Sequence, residues 1–330
     1  MTRIPFMTCI SKRHLLLGAA ALWASLAVQA QSWPSKPIRL VVPFTPGGSS
    51  DILGRAIGQK LTEALGQPVV IDNVPGAGGS VGADKVAKAA PDGYTLLMGH
   101  IGTLAVNPLI FPKLPYDPLK SFTPVAWVAN VPNVLVVHPS VPAKTLQELV
   151  ALAKAKPGQL NYGSGGNGSA AHLATEYLKL QSKTFMVHVP YRGTAPAVTD
   201  LVAGQTQILF TGGPAVIPFV KSGQLRALAV SSGKRLEALP HVPTVAESGY
   251  PGFEADQWYG IVAPAGTPAD IVHKLNALIN QALGSAELKA RLQTEGAVAM
   301  PNTPEAYGRQ IAREIERWRP VVKAGNIQPG

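Results

Sequence analysis

Glycine and hydroxyl residues, rather than acid–base pairs, carry the chemical signal in this sequence. They gather in five turns, at 43–50, 73–80, 163–169, 192–194 and 211–213. Each turn follows a short apolar or β-branched run and leads into a segment with helical apolar spacing. At the first turn, Ile38, Leu40, Val41 and Val42 read as a buried strand. Beyond it Ile52, Leu53, Ala56, Ile57, Leu61, Ala64 and Leu65 form one helical stripe. Ser49 or Ser50 is placed to cap that helix, with Asp51 in its first turn. A glycine turn feeding a helix N-terminus presents unpaired N–H groups and the positive end of the helix dipole, which suits an anion. One such turn is an ordinary capped connection. Five of them point to a binding surface.

The remaining motifs argue against catalysis. Residues 163–168 satisfy the spacing G-x-G-x-x-G, but a dinucleotide site also needs an acid about 20 residues on, and 182–186 reads Ser-Lys-Thr-Phe-Met. No phosphate-binding G-x-x-x-x-G-K-[ST] occurs. Neither Ser164 nor Ser169 lies in the G-x-S-x-G elbow of a secreted hydrolase. The seven histidines lack metal-binding spacing. His172, one turn beyond the 163–169 loop, reads either as ligand-facing or as a packing residue. No metal and no cofactor are expected.

Stepping along the chain, residues 1–30 read as a secretory signal: Lys12 and Arg13, an apolar run over 15–28, and a small-residue cleavage point after Ala30. The lysine at position 12 favours the general secretory route over a twin-arginine one. Cys9, the only cysteine, leaves with the signal, so the mature chain has neither disulfide nor thiol nucleophile. Arg3, Lys12 and Arg13 leave too, which takes the net charge from +10 to +7. The basic residues are scattered and aromatics are few, so no nucleic-acid partner is expected. With 330 residues, 46% apolar and 15% charged, the chain can bury the cores of two domains.

The alternation of strand, turn and helix over 38–98 predicts a parallel, doubly wound α/β sheet with binding loops at its strand C-termini. Residues 107–119 read as proline-broken loop. A crossing is expected at 130–133, and a second α/β set follows over 134–230. Thr145 and Glu148 form a capping box for a helix reaching about residue 156. A return crossing is expected near 251–254 and a strand over 257–262, with the rest helical. The expected organisation is a signal at 1–30, one lobe from 31–130 plus 255–330, and a second lobe from 131–254.

Several ordered motifs resemble one family. They are Pro43-Phe44 through Gly47-Gly48 to Asp51, Asn73 with 75–79, Pro91-Asp92-Gly93-Tyr94-Thr95-Leu96, Gly163-Ser164-Gly165 to His172-Leu173, and Val189-Pro190-Tyr191-Arg192-Gly193. Leu239-Pro240, 242–247, Trp258-Tyr259-Gly260 and Ala263-Pro264 continue the series. Across nearly the whole mature chain the sequence resembles the substrate-binding proteins of tripartite tricarboxylate transporters, the Bug-type periplasmic receptors. The resemblance implies a two-lobed, type II periplasmic binding fold. It implies a monomer that closes on a small carboxylate (a di- or tricarboxylate, an amino acid or an aromatic acid) and delivers it to membrane permease subunits. Carried onto this chain, the implied ligand-binding positions are Gly47, Gly48, Ser49, Ser50 and Asp51, then Gly165, Asn167, Gly168 and Ser169. Thr194, Thr211, Asp256 and Trp258 form a second rank, and Trp258 beside the cleft implies a ligand-dependent fluorescence change. Arg192 is the strong cation near these loops and pairs either with a second ligand carboxylate or with Asp200 or Glu176. His100 stands where relatives carry small polar residues. Two rival readings are a receptor that feeds a signalling partner, which would use the same cleft, and a secreted hydrolase, which the missing elbow opposes.

Overall fold

The run at 38–42 forms strand β1 (Ile38–Val42), and its helical continuation forms α1 (Ser49–Leu65). Burial follows the pattern: Leu40, Val41, Val42, Leu53, Ile57 and Leu61 are buried. Strand β2 (Val69–Asn73), helix α2 (Ser80–Ala87) and strand β3 (Thr95–His100) complete the unit. In this computed structural model the described residues are 33–294 and 296–329. The expected signal at 1–30, with its cleavage point after Ala30, lies outside them.

After β3 the chain makes a π-helical turn (Gly102–Val106), and helix α3 (Asn107–Ile110) then opens the 107–119 stretch that was expected to be proline-broken loop. Pro108 sits in the first turn of α3, where its missing N–H costs no hydrogen bond. Strand β4 (Phe122–Val131) passes through Pro132 into β5 (Asn133–Val137). The second set then runs α4 (Leu146–Ala155), β6 (Asn161–Ser164), α5 (Ala170–Ser182), β7 (Val187–Pro190), α6 (Thr194–Val202), β8 (Ile208–Gly212), α7 (Gly213–Lys221) and β9 (Arg226–Val230). Strand β10 (Gln257–Pro264) returns, followed by α8 (Ala269–Gly284), α9 (Ala286–Thr294), a short β11 (Val298–Ala299) and α10 (Pro304–Ala324).

Two sheets result, ordered β11-β4-β10-β3-β1-β2 and β7-β6-β8-β5-β9. Neither is purely parallel. β10 runs antiparallel to β3 and β4, and β5 antiparallel to β8 and β9. The cause is the route of the chain: β4, β5 and β10 carry it from one sheet to the other and back, so they enter against the direction of their neighbours. Each sheet nevertheless contains a parallel βαβαβ core in which the first strand lies between the second and the third, β2-β1-β3 in one and β7-β6-β8 in the other. That order creates a switch point beside β1 and another beside β6, where loops leave in opposite directions and open a crevice. The fold is thus a two-lobed α/β fold of the type II periplasmic binding class.

Candidate functional site

The segments after β1, β6 and β7 and the C-terminal ends of β3 and β8 converge on a single slot between the sheets. The first sheet contributes Phe44, Gly48, Ser49, Ser50 and His100, and β10 adds Gln257 and Tyr259. The second contributes Gly165, Ser169, Thr194 and Thr211. None of these side chains is charged at neutral pH. The free volume at the centre is about 20 Å³, room for a single water.

Local capping explains why the hydroxyls are available. Gly48, not a serine, caps α1, and no side chain takes part. Ser49 and Ser50 fall inside the first turn, buried, and the Ser49 hydroxyl has no hydrogen-bond partner. Gly193 likewise caps α6 and leaves Thr194 as its first helical residue. The expected cap role of Ser49 or Ser50 is therefore corrected: at both helices glycine takes the cap, and the hydroxyls of Ser49, Ser50 and Thr194 face the slot. Ser169 does cap α5, accepting the His172 N–H at 3.4 Å.

Asp51 and Gly47 support the loop from behind. The carboxylate of Asp51, 4% exposed, accepts the Gly47 N–H at 3.0 Å, Arg55 Nε at 2.9 Å and Asn73 Nδ2 at 3.0 Å. Burial raises its pKa, but the hydrogen bonds from Arg55, Gly47 and Asn73 outweigh that and hold the carboxyl below its ordinary value. With its oxygens occupied, Asp51 staples the 43–50 turn and does not line the slot. Asp51→Asn should lower stability by about 1–2 kcal/mol at neutral pH. Because the folded carboxyl titrates below its ordinary value, the difference from wild type should persist down to about pH 4 and shrink only below it, which urea titrations at pH 7.5, 4 and 3 will measure.

Strand β10 places its residues by parity. Gln257 and Tyr259 face the slot, so Trp258 faces the other way. The indole of Trp258 is buried edge-on against Tyr307, 5.9 Å between ring centres, and its Nε1 donates to Glu314 at 3.2 Å. Trp258 therefore lies on the α10 side of the sheet, and the direct fluorescence change expected of it loses its basis. The strand's alternation was the available signal for Gln257 and Tyr259. Gln257 is in turn tied to the crossing: its Nε2 donates to Asn133 Oδ1 at 2.7 Å, and Asn133 Nδ2 donates to the Ala255 carbonyl at 2.6 Å. Asp256 is also displaced from the slot. It accepts from Ser231 Oγ and lines a separate crevice of about 770 Å³ behind the crossings, among exposed Lys234, Glu237 and Glu254. That crevice is far larger than the slot, but mixed solvated charges line it and no row of converging donors does.

His100 closes the inner end. It stacks on Phe44 at 4.5 Å and meets the edge of Tyr259 at 5.7 Å. Burial pushes its pKa down to about 3. Its Nδ1 accepts the Gly102 N–H at 2.6 Å, so the neutral ring carries its proton on Nε2 and offers another uncharged donor.

The second glycine loop is held by a buried aromatic stack. His188 lies 4.0 Å from His172 and 4.8 Å from Tyr162, ring centre to ring centre. Gly168 N–H donates to His172 Nδ1 at 3.1 Å, so Gly168 and His172 act within the loop rather than on the slot. Ser164 Oγ sits 2.6 Å from His188 Nε2, a serine–histidine pair that sequence spacing did not reveal. The same hydroxyl also bonds both the N–H and the carbonyl of Gly166. Ser164 is fully buried and neither residue lines the slot, so the pair fastens the loop and attacks nothing. Asn167 and Gly165 line an outer chamber beyond the slot, and Gly165 lines the slot as well.

The lobes meet at van der Waals distance across this site. A Cβ built on Gly48 would lie 3.4 Å from Thr194 Cβ, and one on Gly78 would lie 2.8 Å from the Asn167 carbonyl oxygen. Two α/β lobes presenting uncharged donors to a shared slot, closed upon it, define a solute-binding receptor rather than an enzyme. The family model described as tripartite tricarboxylate transporter family receptor matches residues 53–327, and the chain belongs to that family. Protein BugT of Bordetella pertussis is 42% identical over 297 residues, 90% of this chain and 91% of that one. Two solved relatives come from Rhodopseudomonas palustris. An adipate-bound protein is 40% identical with a TM-score of 0.88, covering 90% of this chain and all of its own. Malate-bound MatC is 37% identical with a TM-score of 0.84, covering 88% of this chain and all of its own. Among the described residues no helix is long and apolar enough to cross a membrane.

Proposed function

We propose that this receptor captures a small carboxylate in the periplasm and delivers it to the permease subunits of a tripartite-type transporter. The observation that carries the reading is the convergence of uncharged donors from both lobes on one slot: the unpartnered Ser49 hydroxyl and the α1 N-terminus from one side, Thr194, Thr211 and Ser169 from the other. A carboxylate held by such donors and by helix N-termini forms charge-assisted hydrogen bonds with no buried cation to desolvate. The acids named with the solved relatives, adipate and malate, support that chemistry. The mature chain would begin after Ala30, with one lobe from 31–130 plus 255–330 and the other from 131–254, working as a monomer. Because the slot as closed holds about 20 Å³, the ligand enters an open form and is then enclosed. The hinge would be the Pro132 and Ala255–Asp256 crossings.

Thermal unfolding of the mature protein against a panel of carboxylates tests this. A bound acid at 100 times its Kd should add about 2.7 kcal/mol of stability. Thr194→Val, which keeps the shape and removes the hydroxyl, should reduce that gain with little effect on the unliganded protein. An unmoved transition with every acid in the panel overturns the reading.

A further inference from the structure

The crevice behind the crossings has no part in gripping ligand, yet its two walls belong to different lobes. Lys289, Gln293, Val298 and Ala299 stand on one side, and the segment 232–237 stands on the other. Strand order fixes where it lies. In the first sheet the slot is at β1 and β3 and the crevice at β11, with the crossing strands β4 and β10 between them. In the second the slot is at the ends of β6, β7 and β8 and the crevice at the chain leaving β9, with β5 between them. The two openings therefore stand on opposite sides of the same pair of crossings.

Those crossings are fastened to each other. The Asn133 N–H donates to Ser231 Oγ at 2.8 Å, and its Nδ2 donates to the Ala255 carbonyl at 2.6 Å. The Ser231 N–H donates to the Asn133 carbonyl at 2.8 Å, and Ser231 Oγ donates to Asp256 at 2.5 Å. Asn133, Ser231 and Ala255 are buried, and buried hydrogen bonds are costly to leave unmade, so the crossings move as one pivot. A stiff pivot between two openings is a lever: swinging the lobes apart at the slot brings the crevice walls together. At the floor of the crevice the walls already touch, for a Cβ built on Gly296 would lie 2.7 Å from Ile217 Cδ1 and 3.3 Å from Leu236 Cδ1. Farther out they part, leaving about 770 Å³ free. An opening motion consumes that space.

We infer that this crevice sets the receptor's affinity from behind: a group that fills it obstructs the open form, favours the closed one and tightens binding without touching ligand. This rests on the closing motion proposed above. Apparent affinity scales with the fraction of unliganded protein already in the competent form, so a wedge in the crevice should tighten binding by about 3–10-fold.

Val298, 51% exposed, and Glu237, also exposed, lie on opposite walls, so each accepts a larger side chain without disturbing a core. Val298→Trp and Glu237→Trp are the wedges. Val70→Trp, equally exposed on β2 at the far edge of the first sheet, is the control. The chain from residue 31 onward has no cysteine, so spin labels go selectively onto Val81→Cys and Arg192→Cys. Val81 lies beside the 76–79 turn, and that turn, Phe111 and Arg192 line the outer chamber of about 490 Å³, so the labels span the mouth of the cleft. Without ligand, pulsed dipolar distances between them should shift toward shorter values in both wedge variants and stay at the wild-type distribution in Val70→Trp. Calorimetric titration of the unlabelled proteins with adipate should show the 3–10-fold tightening in the wedges alone. Unshifted distances, or shifted distances with wild-type affinity, overturn the inference and leave the carboxylate slot standing. Shifted distances in a protein that binds neither adipate nor any other acid of the panel bear out the lever and overturn the carboxylate reading.

Discussion

Gly78→Ala is expected to weaken carboxylate binding by about 10–100-fold while leaving the protein folded. Gly78 has φ 62° and ψ 25°, left-handed helical values that alanine reaches for roughly 1 kcal/mol. Gly66, which caps the C-terminus of α1, has nearly the same values, φ 66° and ψ 13°, and a Cβ built there meets nothing within 4 Å. The two alanine variants therefore share the same backbone cost. They differ in what the new methyl meets. At Gly78 it would lie 2.8 Å from the Asn167 carbonyl oxygen, backbone on the opposite lobe, a contact that only separation of the lobes relieves. Overpacking of this kind costs about 1–3 kcal/mol, all of it charged against the closed form, and tenfold in affinity corresponds to about 1.4 kcal/mol. Calorimetric titration of both variants with an acid that binds the wild type makes the comparison. Equal affinities would mean that the 76–79 turn and Asn167 do not meet when ligand is bound.

The second large effect is loss of stability in mild acid. His100, His172 and His188 have pKa values pushed down to about 3, 4 and 3, in each case chiefly by burial. The folded protein keeps them neutral while the unfolded chain takes up protons below about pH 6.5, so stability is full above that value and is lost as the pH falls toward 4. At pH 5 each of the two buried rings, His100 and His172, withholds about 2 kcal/mol, and half-buried His188 somewhat less. Asp256 acts in the opposite sense. Burial raises its pKa to about 6, so between about pH 6 and 4 the folded form holds the proton more tightly and regains about 1 kcal/mol. The net expectation is a fall of about 4–5 kcal/mol between pH 7.5 and 5, read from denaturant midpoints at the two values. The His188→Gln variant should show a shallower slope. A profile flat across this range would mean that the rings are charged inside the fold.

Much of the architecture was readable because it is written in local patterns. The β-branched runs, the helical stripes and the glycine turns at 43–50 and 163–169 depend on neighbours in sequence, and the structure brings those turns together. What was not readable depends on partners far away in the chain. Trp258 rather than Gln257 or Tyr259 was placed at the cleft because parity on β10 is set by the face that α10 covers, where Glu314 and Tyr307 receive the indole. Serine prefers the cap position, which is why the 43–50 turn points to Ser49 or Ser50 for that role. Here the unhindered backbone of Gly48 takes it, and no pattern within the turn announces the exchange. The antiparallel entries of β5 and β10 and the two-residue β11 follow from the double crossing. The serine–histidine contact between 164 and 188 arises from pairing of β6 with β7, whose register is a tertiary fact.

The anchoring end of the slot is built largely from peptide groups and small hydroxyls, which any substitution of a larger residue would obstruct but few could improve. Main-chain amides do not mutate. Descendants of this gene that acquire new cargo are therefore expected to keep the 43–50 and 163–169 turns and to exchange residues on the surfaces facing Phe111 and Arg192. One scaffold can then be retuned to many nutrients by repainting a single wall.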